Sequence, residues 1–180
     1  GLCRYEQACG KFENNLLPVN RGGSNLFVNS LLEDTTRQCI WIGMEGYLFQ
    51  YNPTIGEMKA IEVFHNNSIK SLALDGDENL LAGTDNGLYV YQNDKEPLQH
   101  IIHDSRNIQS LTNNIIWNIF SDQEHNFWLG TDYGISLSRY NSALQFVPIS
   151  QITGTGDGNQ FYPLFRDSKG FYWFGGTNGV

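Results

Sequence analysis

An internal repeat constrains this chain more than any other feature. Four segments align: LLEDTTRQCIWIGMEGYLFQY from Leu31, LALDGDENLLAGTDNGLYVYQ from Leu72, IFSDQEHNFWLGTDYGISLSRY from Ile119 and LFRDSKGFYWFGGTNGV from Leu164. Each runs apolar stretch, Asp, polar turn, aromatic or Leu, apolar residue, Gly, second polar turn, Gly, second apolar stretch. The opening GLCRYEQACGKF matches the back half of the unit, as in GISLSRYNSALQF. Turn glycines therefore recur at Gly1, Gly46, Gly87, Gly134 and Gly179, spaced 45, 41, 47 and 45 residues apart. A fixed period of this size means stacked supersecondary units that bury their apolar faces only against one another.

Within each unit the apolar pattern is that of short strands. The third unit offers IIWNIF, FWLGT, ISLSRY and LQFVPI, rich in aromatic and β-branched residues and separated by polar turns. The Asp closing the first strand (Asp34, Asp75, Asp122, Asp167) suits an Asx-turn that reverses the chain, and the glycines after the second strand permit another tight turn. No helix-period segment of useful length competes. The reading is an all-β β-propeller fragment of four-stranded antiparallel blades. Residues 24–66, 67–107 and 108–153 form three full blades, and 1–23 and 154–180 form half-blades.

Counting back from the Asp, position minus six holds Val28, Ile69, Ile116 and Phe161, minus three holds Leu31, Leu72, Ile119 and Leu164, and minus two holds Leu32, Ala73, Phe120 and Phe165. These are expected to pack. Minus four holds Ser30, Ser71, Asn118 and Pro163, small or polar as befits crowded innermost strands, where the missing N–H of Pro163 would fall on an unpaired edge. Minus five holds Asn29, Lys70, Trp117 and Tyr162, chemically different in each unit and near the mouth of a central channel. Variation at a fixed place is what a binding surface on a repeated scaffold shows. Loops expected on the same face add Asp85, Asn86, Asp132, Tyr133 and Asn178 after second strands, and Arg106, Asn113 and Asn114 before first strands.

At the pattern Asp, turn, Trp, apolar, Gly, Thr, turn, Gly, apolar, fullest as DQEHNFWLGTDYGI from Asp122 and DSKGFYWFGGTNGV from Asp167, the sequence resembles the two-component regulator propeller repeat. Through it the chain is similar to the periplasmic sensor region of hybrid two-component systems of Bacteroidetes that degrade polysaccharides. The resemblance implies tandem seven-bladed propellers followed by a β-sandwich, a membrane span and a histidine kinase, answering to oligosaccharide fragments. Trp117, outside the second-strand Trp column, and Tyr162 are of the kind that stacks on the apolar face of a sugar, with a core role as the alternative for Trp117, and the hydroxyls, amides and carboxylates around them match a glycan's hydrogen bonding but are expected in turns as well. Trp41, Trp128 and Trp173, in equivalent second-strand positions, are expected to pack between blades. The chain departs from the motif at Leu81-Ala82-Gly83, where Trp is usual, at Met44 in place of Thr, and at the added Gly176.

Nothing in the chain resembles a membrane helix, kinase, receiver or DNA-binding module, so it reads as a piece cut through blades at both ends. Severed blade edges invite pairing with another chain, so a homodimer by half-blade exchange stands beside closure within the chain into a strained four-bladed ring and an open or aggregating fragment. Eleven basic against nineteen acidic residues, net −8, leave no basic cluster to track a phosphate backbone, so no nucleic acid partner is expected. No apolar run approaches the roughly 20 residues a bilayer span needs, so no direct membrane contact is expected.

Three cysteines, Cys3, Cys9 and Cys39, form no C-x-x-C pair and allow at most one intrachain disulfide. With four histidines out of ligand spacing, no metal and no cofactor are expected. Asp75, Asp77 and Asn79, like Asp122, Glu124 and Asn126, place oxygens at alternate positions but lack the glycine and closing Glu of a calcium loop, and read as turns. The turn also resembles the Asp-box of sialidase propellers. Arg4, Arg21, Arg37, Arg106, Arg139 and Arg166 nevertheless yield no named catalytic constellation, so the segment is not expected to be an enzyme. Two alternatives stay open: a structural or dimerisation segment without ligand contact, and the propeller of a carbohydrate-active enzyme.

Overall fold

Turns rich in Asp, Asn and Gly cut the chain into strand pairs, and the strands take up the aromatic and β-branched residues between them. The computed structural model describes residues 1–14, 17, 27–61, 67–92, 97–140, 144–154 and 159–177. The first hairpin joins β1 (Cys3–Glu6) to β2 (Lys11–Asn14). Three four-stranded antiparallel sheets follow. The first holds β3 (Val28–Asp34), β4 (Cys39–Met44), β5 (Leu48–Asn52) and β6 (Glu57–Ile61). The second holds β7 (Ile69–Leu74), β8 (Leu80–Thr84), β9 (Gly87–Tyr91) and β10 (Gln99–Ile101). The third holds β11 (Ile116–Ser121), β12 (Phe127–Thr131), β13 (Gly134–Ser138) and β14 (Phe146–Pro148). A last hairpin pairs β15 (Phe161–Arg166), which contains Pro163, with β16 (Tyr172–Gly176). One turn of helix, α1 (Ile149–Thr153), follows β14 and ends on Gly154 in the left-handed region; the strand pattern of LQFVPI gives no sign of it. Among the described residues no helix is long and apolar enough to cross a membrane.

The sheets stack as propeller blades with β3, β7, β11 and β15 side by side at the inner edge. Each seam is its own apolar cluster. Trp41, Leu48 and Ile61 of the first sheet meet Ile69, Leu72, Leu80 and Tyr91 of the second. Ala73, Leu81 and Val90 of the second meet Ile116, Ile119, Phe127 and Leu129 of the third, joined by Leu111 from the intervening loop. Phe120, Trp128 and Ile135 meet Phe161, Leu164 and Phe174 of the last hairpin. Positions minus six and minus three thus face the preceding blade, and minus two and the Trp column face the following one. Three of the expected packing positions depart from this. Leu31 is 55% exposed, Phe165 59% and Trp173 60%, because each lies on an outward face of the array against which no further sheet packs among the described residues. Cys3 and Cys9 are exposed and Cys39 is buried, all three as free thiols.

Glycine at the end of the Trp-apolar-Gly motif has a steric reason. A Cβ on Gly83 would stand 2.6 Å from Ser71 Oγ and 2.8 Å from Ile116 Cγ2 of the next blade. A Cβ on Gly130 would stand 2.6 Å from the backbone oxygen of Phe161. Innermost strands dock at these bare positions.

Candidate functional site

Each innermost strand carries a β-bulge at the same place. The register slips between Val28 and Ser30, Ile69 and Ser71, Ile116 and Asn118, and Phe161 and Leu164. The extra residue is Asn29, Lys70 or Trp117, and Tyr162 opens the slip in β15, so the bulge aims the four minus-five residues away from the regular pleat. These side chains form a line from blade to blade. Asn29 Nδ2 donates to the Ile69 backbone oxygen at 2.9 Å and to Ser68 Oγ at 3.3 Å. Lys70 Nζ lies 4.5 Å from the Trp117 ring centroid, a cation–π contact. The Trp117 and Tyr162 rings meet at 5.0 Å with planes tilted by 53°.

Turns after the second strands reach the same end of the blades. Thr84 and Thr131, both fully buried, donate from Oγ1 to the backbone oxygens of Gly87 and Gly134 and accept from the N–H of Asn86 and Tyr133, which explains the Thr of the motif. Gly87 N–H donates to the Asn114 oxygen and Gly134 N–H to the Asn159 oxygen, stitching each turn to the loop entering the next blade. Asp85 Oδ1 accepts the Ser68 N–H at 3.0 Å, whereas Asp132 Oδ1 accepts the Trp117 indole N–H at 3.0 Å. Asn86 and Tyr133 lie in these turns, with the Asn86 oxygen bonded to His100 Nε2 at 2.7 Å and Tyr133 exposed. Asn113 accepts the Ile115 N–H, and Asn114 accepts the His103 N–H. Arg106 is paired with Asp104 in its own loop, apart from the bulge line. Asn178 lies outside the described residues. Gln160 is the member of the cluster that sequence reasoning missed: Nε2 donates to Asp132 Oδ1 at 2.6 Å and Oε1 accepts the Tyr162 hydroxyl at 2.7 Å. Its position, minus seven in its repeat, was the available signal.

The recurring Asp sits at the other end of each sheet. Asp75 Oδ1 accepts the N–H of Asp77 and Asn79, Asp122 Oδ1 those of Glu124 and Asn126, and Asp167 Oδ1 those of Lys169 and Phe171. The second carboxylate oxygen takes the indole N–H of Trp41, Trp128 or Trp173 in the units that carry Trp. The alternating oxygens are thus committed to turn geometry. A cleft of about 190 Å³ at this end is lined by Arg37, Cys39, Gln50, Asn52, Ile55, Glu57 and Lys59. Arg37 there is already bonded to Asp34 and to the backbone oxygens of Glu78 and Gln92. Burial pushes the Cys39 thiol above its usual range, which leaves little thiolate for reaction.

Residues 110–133 match the family described as Two component regulator propeller. Among solved structures, the extracellular domain of BT4673 from B. thetaiotaomicron, named a one component system in one structure and a hybrid two component system in another, is 81% and 82% identical over 97% of this chain, with a TM-score of 0.74 in both. The extracellular domain of BT3049 from B. thetaiotaomicron, named a hybrid two component system, is 27% identical over 84% of this chain, with a TM-score of 0.61. The chain spans 24% of the BT4673 chains and 21% of the BT3049 chain. No curated protein matches it.

Proposed function

This chain belongs to the two component regulator propeller family, and on that premise we propose that it is a ligand-sensing segment of a periplasmic sensor region of a hybrid two-component system, binding an oligosaccharide at the channel mouth. One observation carries the reading: the same bulge in every innermost strand aims a chemically different residue, Asn29, Lys70, Trp117 or Tyr162, at one end of the stack. A bulge sacrifices ladder pairing, and its repetition where side chains differ is economical only if those side chains are used. Tyr162 and Tyr133 offer partly exposed aromatic surface, Lys70 a charged group on the Trp117 ring, and Asp85 and Asn86 exposed polar groups in the turn of the preceding blade. Aromatic faces with hydrogen-bonding groups at their rim suit a sugar, apolar on one face and hydroxylated at its edge. The segment does no chemistry in this scheme. Ligand favours one arrangement of blades, and the shift passes to a histidine kinase outside this chain.

Calorimetric titration with a panel of neutral and uronic-acid-containing oligosaccharides of three to six residues tests the reading. Trp117→Ala and Tyr162→Ala are each expected to weaken the best binder by about tenfold, the order of one aromatic stacking contact. Unchanged affinity in variants with an intact β spectrum would remove this site.

A further inference from the structure

Trp117 and Tyr162 stand on neighbouring sheets, yet a single carboxylate holds both. Asp132 Oδ1 accepts Trp117 Nε1–H from its own sheet at 3.0 Å and Gln160 Nε2–H from the next at 2.6 Å. Gln160 in turn accepts the Tyr162 hydroxyl at 2.7 Å. The backbone crosses the same seam: Gly134 N–H donates to the Asn159 oxygen at 2.8 Å. In the preceding blade the matching carboxylate, Asp85, caps the Ser68 backbone N–H instead. At Asp132 this column has therefore been diverted from capping the backbone to joining two aromatic residues across a seam, through hydrogen bonds strengthened by the carboxylate charge.

We propose that Asp132 and Gln160 form a latch between the third sheet and the last hairpin, and that closing it sets the tilt of Tyr162 on Trp117, so that occupancy of this aromatic pair and closure of the seam are one equilibrium. The occupancy half rests on the function proposed above, and the latch half rests on the hydrogen bonds alone. A ligand that needs the closed pair must tighten the seam by the same factor by which the closed seam tightens the ligand. Asp132 and Gln160 are positioning residues, and contact with ligand falls to Trp117, Tyr162 and Lys70.

Asp132→Leu removes the acceptor, and Asp132→Asn keeps an oxygen in its place. Hydrogen exchange at the Gly134 amide reads the seam, and the near-ultraviolet circular dichroism lost in Trp117→Phe reads the ring pair. Asp132→Leu should raise exchange at Gly134 at least tenfold and abolish that dichroic component with the far-ultraviolet spectrum intact, while Asp132→Asn stays within about threefold of wild type. Wild-type exchange and dichroism in Asp132→Leu would overturn the latch. Should Asp132→Leu not fold, Gln160→Ala removes the cross-seam bond together with the Tyr162 hydroxyl's acceptor, leaves Trp117 on Asp132, and is read in the same way. The oligosaccharide panel then tests linkage: binding lost in Asp132→Leu and kept in Asp132→Asn supports it, and equal binding in both overturns it. If the panel does not bind wild type, the function reading fails while exchange still decides the latch.

Discussion

A single aspartate per repeat does more than turn the chain. Asp122 is buried, and although burial works against its charge, the Trp128 indole, the side-chain and backbone N–H groups of Asn126 and the Tyr172 hydroxyl outweigh that and hold its carboxyl below the usual carboxylate range. Asp34 behaves likewise, with burial opposed by Trp41 and by Arg37. A carboxyl whose folded pKa lies below its unfolded value of about 3.9 contributes stability that is present above that pH and lost as pH falls through the folded value. Denaturant midpoints should therefore be flat near neutrality and fall below about pH 4. Asp122→Ala, which strands the Trp128 and Tyr172 donors, should cost about 2–4 kcal/mol in urea unfolding and flatten part of that acid slope. Ser71 Oγ is buried with no hydrogen-bond partner among the described residues, so Ser71→Ala should be at least as stable as wild type, and a loss above about 1 kcal/mol would mean that the hydroxyl is satisfied. The turn role of Asp was legible because an Asx-turn depends only on residues adjacent in sequence. The indole N–H partner was not, since an apolar seam is enough to account for a Trp there.

Seams between elements explain the glycines and the cross-blade ties. Gly130→Ala presses on a backbone oxygen of β15, which cannot rotate away, whereas Gly83→Ala presses on the side chains of Ser71 and Ile116. Both should destabilise by about 1–3 kcal/mol, Gly130→Ala the more, as read by thermal unfolding; equal effects would show that the strand yields as readily as a side chain. Polar contacts close the Asp end of the seams: Arg37 reaches the Glu78 oxygen, Tyr172 donates to Asp122, and Arg166 pairs with Glu124. The repeat placed the minus-five residues at one height, but the bulges that aim them arise from pairing between strands and leave no mark in the apolar pattern.

At the scale of the whole molecule, the described residues leave an apolar face bare at each end of the array. Interior units cover a minus-three residue with the minus-two residue and Trp of the blade before it, yet Leu31 stands exposed at one face and Phe165 and Trp173 at the other. The hairpin β15–β16 pairs as the first two strands of a blade do, and β1–β2 resembles the last two. Half-blade exchange between two copies of the 180-residue chain predicts a species near twice 20.4 kDa in light scattering, whereas closure within the chain predicts a folded monomer. A monomer that stays folded at high concentration would exclude it, and Trp173→Ser should weaken any dimer that forms. The sequence by itself determined what local chemistry and periodicity dictate: the strand units, the Asp and Gly turns, and the columns that face one blade or the other, because each depends on residues close along the chain. Only the tertiary structure decided which outer positions lie bare, where the bulges turn the minus-five side chains, and that Asp132 joins Trp117 to Gln160, because these depend on groups brought together from separate blades.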